Sequence, residues 1–340
     1  MRKIVFESPM KAVVRQADKP VCGRGQVLLK MRRIGVCGTD IQVFAGKNRY
    51  MEFPVVPFHE GIAIVEETGE DVNDLEPGSL VTIRPILSCN MCYSCRNGKK
   101  NACMNFNSLG VQSDGLGADY FVISREYVYP LEQDADLDKV IFIEPFAVGV
   151  HAAYQGDVEG KEVLVVGGGT IGNFTAQACM LAGAKKTAIC DISREKIRMA
   201  EKSGIDFAID TSNLTLVQAA RQCFEEFPDV IIDCAAVPAV FTQILELAGK
   251  TTTVVIVGNY SVPVQADIAK IQRNELTVKG CITYREEDFI RARDLIEEGR
   301  VYLDGFISKR YRFSQVQEMM EQALKNKGIN MKTIMDFEGE

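Results

Sequence analysis

The sequence predicts an α/β protein: a compact, mostly β N-terminal unit followed by a doubly wound parallel sheet. Three observations predict it. Short β-branched runs broken by turn residues fill the first ~85 residues. Strand and helix patterns then alternate from about residue 160 to 280. An apolar run, Val163–Val166, leads straight into the glycine-rich turn of a helix-forming stretch.

In the N-terminal part, Ile4–Phe6, Lys11–Val14, Gln26–Ile34, Gly61–Glu66 and Ser79–Ile83 read as strands, separated by Gly23, Gly25, Pro77 and Gly78. Ala118–Ile123 adds a strand after the glycine-rich stretch Gly110 to Gly117. Then come Val163–Val166 (strand), Ile171–Ala182 (helix), Lys186–Cys190 (strand), Ser193–Ser203 (helix) and Phe207–Ile209 (strand). Leu214–Phe224 (helix), Val230–Cys234 (strand), Val240–Ala248 (helix) and Thr252–Val257 (strand) follow, with Gly183, Gly204 and Gly249 as helix stops. Leu276–Lys279 reads as the last strand of that sheet, Glu286–Glu297 and Ser314–Leu324 as amphipathic helices, and Lys332–Met335 as a final strand. The expected domains are 1–145, 146–281, and 282–340 returning to the first.

Composition excludes several classes. At 340 residues the chain buries a sizeable core without needing metal to fold. A net charge of −7 with dispersed acids, and no Lys/Arg block, argues against nucleic acid as the main partner. No run approaches 18 apolar residues, and the N-terminus lacks a signal-peptide core, so neither a membrane span nor secretion is expected. Eleven cysteines then read as thiols and metal ligands before disulfides.

The strongest local signal is Cys89–Cys103. Cys89, Cys92, Cys95 and Cys103 are spaced by two, two and seven residues. Four soft thiolates brought together by tight turns suit a closed tetrahedral zinc site. A ferredoxin-type cluster would continue with a three-residue gap and Cys-Pro; here the gap is seven and Met104 follows.

Gly167-Gly168-Gly169-Thr170-Ile171-Gly172 opens a helix directly after a strand. Gly167 permits the tight turn, Gly169 lets backbone approach a pyrophosphate at the helix N-terminus, and Gly172 allows close helix–strand packing. Asp191 ends the next strand, 19 residues beyond Gly172. A carboxylate there suits the adenosine ribose hydroxyls and repels a 2′-phosphate, which favours NAD over NADP. Arg194, close by, is the residue that could welcome a phosphate.

Gly35-Val36-Cys37-Gly38-Thr39-Asp40 and Phe58-His59-Glu60-Gly61 form a second constellation, although spacing alone does not join Cys37 to His59. His151 reads as a core histidine. The motifs GVCGTD, HE, the four-cysteine lobe, IEPFAVGVHA (Ile143 to Ala152) and GGGTIG occur in this order. In that combination the whole chain resembles the zinc-dependent medium-chain alcohol dehydrogenases. Glu144, in IEP, places the resemblance in the polyol, threonine and sugar-alcohol branch.

The resemblance implies a GroES-like catalytic domain joined to a Rossmann domain. It implies two zinc ions, one catalytic on Cys37 and His59 with Glu60 and Glu144 supplying carboxylates, and one structural on the four cysteines. It further implies proton relay by Thr39, NAD bound with the help of Asp191 and Lys196, and a homodimer or homotetramer in the cytoplasm. The expected reaction exchanges a secondary alcohol of a polyol, sugar acid, sugar phosphate or cyclitol with its ketone. L-Threonine 3-dehydrogenase is the alternative within enzymes. A nucleotide-binding structural or regulatory protein is the alternative outside them, and it predicts broken metal ligands.

The sequence departs from its relatives in three places. Gln42 stands where many have a relay histidine. Leu116-Gly117 replaces Gly-Phe, and Thr283 precedes Tyr284 where sorbitol-type relatives carry arginine. Phe44, Arg49, Phe58 and Tyr284 are the candidates for lining a substrate pocket, and Lys47 and Arg49 for meeting a carboxylate or phosphate.

Overall fold

A computed structural model describes residues 1–48, 50–326, 328 and 330–337. It divides into two compact units: Met1–Glu144 with Ile296–Glu298 and Asp304–Glu340, and Pro145–Leu295 with Gly299–Leu303.

In the first unit the long strand Gln26–Val36 is the axis. It pairs antiparallel with Glu60–Thr68, with Tyr120–Ser124 and with the late strand Lys332–Asp336. Leu80–Ile83, Val128–Pro130 and Ile307–Arg312 complete a seven-stranded sheet. Val27, Leu29, Met31 and Ile34 are buried in a core with Phe6, Phe44, Phe58, Met319 and Met320. Lys332–Asp336 returns to this sheet because Ile334 and Met335 are fully buried against it. The helix Gly38–Phe44 falls where the sequence suggests only a glycine-flanked turn. Asp40 causes it: its Oδ2 accepts from the Cys37 amide at 2.7 Å and so closes the first turn. The strand Ile307–Arg312 was also not apparent. Its alternation is masked by Lys309, Arg310 and Arg312 on an edge.

The second unit holds six parallel strands in the spatial order Phe207–Asp210, Lys186–Asp191, Glu162–Val166, Val230–Asp233, Thr253–Ile256, Thr277–Gly280. The inner strands are continuous apolar runs because helices cover both faces. The order reverses between Glu162–Val166 and Val230–Asp233, which is the switch point of a doubly wound sheet. The helix Ile143–Gly156, unrecognised in the sequence, carries IEPFAVGVHA. The helix expected over Leu214–Phe224 is shorter, Leu216–Ala220, opened by a capping box of Thr215 and Gln218. Residues 282–295 and 299–303, expected to return with the tail, group with this second unit.

His151 is indeed a satisfied core histidine: its Nδ1 lies 2.7 Å from Asp288 Oδ2, and Arg285 holds the same carboxylate. Burial works against the charge on Asp288, yet Arg285 and His151 outweigh it and hold its pKa down to about 2. A depressed carboxylate pKa stabilises the fold above the unfolded value, near pH 4, and that contribution fades as pH falls toward 2. Asp288→Asn is therefore expected to lower stability at pH 7 by on the order of 2 kcal/mol. It should also flatten the pH 4 to 2 loss; urea unfolding of both proteins across that range checks it.

Candidate active site and metal centres

Cys37 lies where the strand Gln26–Val36 passes into its helix; His59 immediately precedes, and Glu60 opens, the strand Glu60–Thr68. Gly35 pairs with Glu60 across the sheet, so the antiparallel register brings Cys37 beside His59. One ligand atom from each of Cys37, His59 and Glu60 lies within 4.8 Å of the others. His59 and Glu60 are buried, Cys37 half-buried.

His59 is aimed by its neighbour. Phe58 takes a φ of 76°, a left-handed conformation rare for an aromatic residue. The glycine-rich stretch clasps it there: Leu116 donates its amide to the Phe58 carbonyl at 2.9 Å, and Gly117 to that of Pro57 at 3.0 Å. A Cβ on Gly115 would stand 2.2 Å from the Phe58 oxygen, so only glycine fits.

Two residues complete the surroundings, and neither role was read from the sequence. Asp40 is fully buried, with Oδ1 3.4 Å from His59 Nδ1, and neither atom completes a hydrogen bond there. Lys332 sends its buried ammonium to both oxygens of Glu60, at 2.7 Å each. Burial opposes the Lys332 charge, but Glu60, Cys37 and Glu144 outweigh it and raise its pKa. Burial likewise opposes an imidazolium at His59, and Asp40 and Cys37 overcome it, holding that pKa well above the ordinary histidine value. The pocket thus favours positive charge. An orphaned buried nitrogen among a thiol and carboxylates is a donor set that fits zinc. Glu144 lies in the first turn of its helix, buried, outside the 4.8 Å group but near enough to act on Lys332. Thr39 follows in the helix Gly38–Phe44, half-buried.

The pocket-lining expectations need correction. Phe44 and Phe58 are fully buried, each packed edge-on against Phe6. Tyr284 is buried against Phe289. All three are core side chains, because apolar packing claims the aromatics that flank the motifs. Lys47 is exposed, and Arg49 lies outside the described residues.

The cysteine lobe meets a sharper geometric condition. Sulfur separations are 3.4 Å for Cys92–Cys95, 3.8 Å for Cys92–Cys103 and 3.5 Å for Cys103–Cys89. Four sulfurs bound tetrahedrally at ~2.3 Å lie about 3.8 Å apart, whereas a disulfide needs about 2 Å. Backbone amides of Cys95 and Met104 push the Cys92 thiol down to about 6. The lobe fits a closed tetrathiolate zinc.

In the second unit, Gly167 takes a φ of 101°, and a Cβ on Gly172 would lie 1.7 Å from the Gly167 carbonyl. The helix Thr170–Leu181 can therefore start directly on the strand. A Cβ on Gly169, its N-cap, would meet open space, the cradle a pyrophosphate needs. Asp191 ends its strand with Oδ2 accepting from the Gly168 amide at 2.7 Å, and Lys196 Nζ is 3.3 Å from the same oxygen. Among the described residues no helix is long and apolar enough to cross a membrane.

Residues 23–133 match the alcohol dehydrogenase GroES-like domain, and residues 170–298 match the zinc-binding dehydrogenase family. The chain is 31% identical to the galactitol 1-phosphate 5-dehydrogenase of Escherichia coli K12, over 88% of its own length and 90% of that protein. It superposes at a TM-score of 0.91 on a Sinorhizobium meliloti protein described as a zinc-binding dehydrogenase bound to NADP (30% identical, 99% of each chain). It superposes equally at 0.91 on the rspB alcohol dehydrogenase of E. coli CFT073 complexed with NADH (26% identical, 99% of each chain). Ligand geometry, the switch-point turn and these likenesses converge: the chain is an oxidoreductase of the zinc-dependent medium-chain alcohol dehydrogenase family, in its polyol and sugar dehydrogenase branch.

Proposed function

We propose that the protein uses NAD to interconvert a secondary alcohol of a polyol, sugar acid, sugar phosphate or cyclitol with the corresponding ketone. The observation that carries this reading is the convergence of half-buried Cys37 with buried His59 and Glu60 in one group. Cys37 and His59 would hold the catalytic zinc, with Glu60 and Glu144 supplying carboxylate either directly or through water; the four-cysteine lobe would hold a second, structural zinc. Zinc bound there supplies a Lewis acid for the substrate oxygen while hydride passes to or from the nicotinamide.

The chain's own groups do the rest. Asp40 sets a carboxylate beside the His59 ring, and Lys332 keeps the Glu60 carboxylate in place. Thr39 accepts the alcohol proton at its Oγ1 and passes it on. Gln42 cannot titrate, so the proton leaves by water or the cofactor ribose. Gly167, Gly169, Thr170, Ile171 and Gly172 would seat the pyrophosphate, while Asp191 receives the ribose hydroxyls with Lys196 at the adenosine end. The Asp191 carboxylate supports NAD over NADP. We further propose a cytoplasmic homodimer or homotetramer formed through an edge of the nucleotide-binding sheet.

The test combines a substrate screen with metal analysis. Cofactor reduction would be followed across polyols, aldonates, sugar phosphates, cyclitols and threonine, with NAD and NADP in parallel. NAD preference with at least one secondary alcohol is expected; turnover of threonine alone would favour threonine 3-dehydrogenase. Asp191→Ala is expected to narrow the NAD preference by about tenfold, roughly 1.4 kcal/mol; an unchanged ratio would contradict the ribose role. Mild chelation should strip zinc and activity together, and full activity in the stripped protein would remove the mechanism.

A further inference from the structure

The turn after Val230–Asp233 is organised around a buried charge that the chemistry above does not use. Asp233 is fully buried. Its Oδ1 accepts from the amides of Ala235 at 2.9 Å and Ala236 at 3.2 Å, and its Oδ2 accepts the phenol proton of Tyr260. Its carbonyl accepts from Val257 at 3.0 Å and Gly258 at 2.9 Å. One residue thereby ties the turn after this strand to the turn after Thr253–Ile256. Burial, and Asp233 beside it, push the Tyr260 ionisation up, so the phenol stays a donor.

The place of this latch matters. Both turns lie at carboxyl ends of parallel strands, on one side of the point where strand order reverses. Dinucleotides seat in the crevice at such a reversal. The phosphate turn is in contact: a Cβ on Gly167 would stand 2.9 Å from the Ala235 amide, and one on Gly258 would stand 2.7 Å from the Ala236 Cβ. Ala236 takes a φ of 52°, which a residue with a Cβ keeps only where its surroundings hold it. A position filled only for packing takes an apolar side chain; a carboxylate here is tolerated because three donors satisfy it. Tyr260 lies near the start of the largely exposed coil 259–267, which it anchors to the core beside Phe241.

We propose that Asp233 and Tyr260 are positioning residues of the nicotinamide dinucleotide site, setting the Ala235–Ala236 turn against Gly167 and fixing the coil beside it as a preformed wall. This rests on reading the phosphate turn as a dinucleotide site.

The test titrates NADH and NADPH, by their own fluorescence, into wild type, Tyr260→Phe, Asp233→Asn, Asp233→Ala and Leu295→Ala, with a thermal melt and steady-state kinetics of each. Tyr260→Phe is expected to raise the Kd of the preferred cofactor about three- to tenfold, the scale of one hydrogen bond, with kcat at saturating cofactor within about twofold. Asp233→Asn, whose amide oxygen still accepts from both alanine amides, should bind more tightly than Asp233→Ala. Leu295→Ala, in the same unit, should lower the Tm without changing the Kd. Wild-type affinity in Tyr260→Phe overturns the proposal, as does equal weakening in Leu295→Ala, which marks a merely structural effect. Absence of binding by wild type to either cofactor overturns the dinucleotide reading itself and this proposal with it.

Discussion

Cys37→Ala is expected to cut turnover by about 10²- to 10³-fold, the scale at which loss of one group that stabilises developing oxyanion charge acts. It should do so without unfolding the protein. The proposed catalytic centre would lose its thiolate, the donor most selective for zinc, while Cys89, Cys92, Cys95 and Cys103 stay intact. Metal content should therefore fall by one zinc and not by both, with an unchanged far-ultraviolet spectrum. Cys37 is half-buried at a helix start, so removing its sulfur opens no core cavity. A Cys37→Ala protein that keeps its full zinc content and activity would refute the ligand assignment. Loss of both ions would mean the two centres are not independent.

Lys332→Met carries the largest expected stability effect. Lys332 and Glu60 have side chains only 5% and 1% exposed. In the zinc-free protein, removing the ammonium leaves a buried carboxylate without its counter-charge, a change that costs about 3–5 kcal/mol at such pairs. In a protein of 340 residues that lowers Tm by roughly 4–7 °C. The cost comes from the charge left behind, so a second substitution, Glu60→Gln, should restore part of the loss. A double-mutant cycle by thermal melting measures the coupling. Additive losses would show that Lys332 acts through packing of its stem and not through Glu60.

The contrast between these two residues shows what the sequence disclosed. The cysteine lobe was legible because its four ligands fall within fifteen positions, where spacing is geometry. The phosphate turn was legible for the same reason: strand, turn and helix are contiguous. Cys37 and His59 meet only through strand register, so resemblance joined them where spacing could not. Lys332 is 272 residues from Glu60, and nothing local in Lys332–Asp336 marks its first residue as buried. Asp40 was visible inside GVCGTD, but its place beside the His59 ring was not. The aromatics Phe44, Phe58 and Tyr284 stood as pocket candidates because a sequence shows proximity along the chain and not burial.

The glycine clasp behind Phe58 has a consequence for how this protein tolerates change. Gly115 carries no chemical group, lies 56 positions from His59, and is not among the residues a chemist would nominate for the reaction. Yet its missing side chain decides where an imidazole points. In a saturation scan read by activity, Gly115 is expected to score like a metal ligand, while the fully buried phenylalanine beside His59 accepts other large apolar residues more readily. Intolerance to mutation would then map the mould of the active site as well as its contents. A blank position would be as informative as a reactive one.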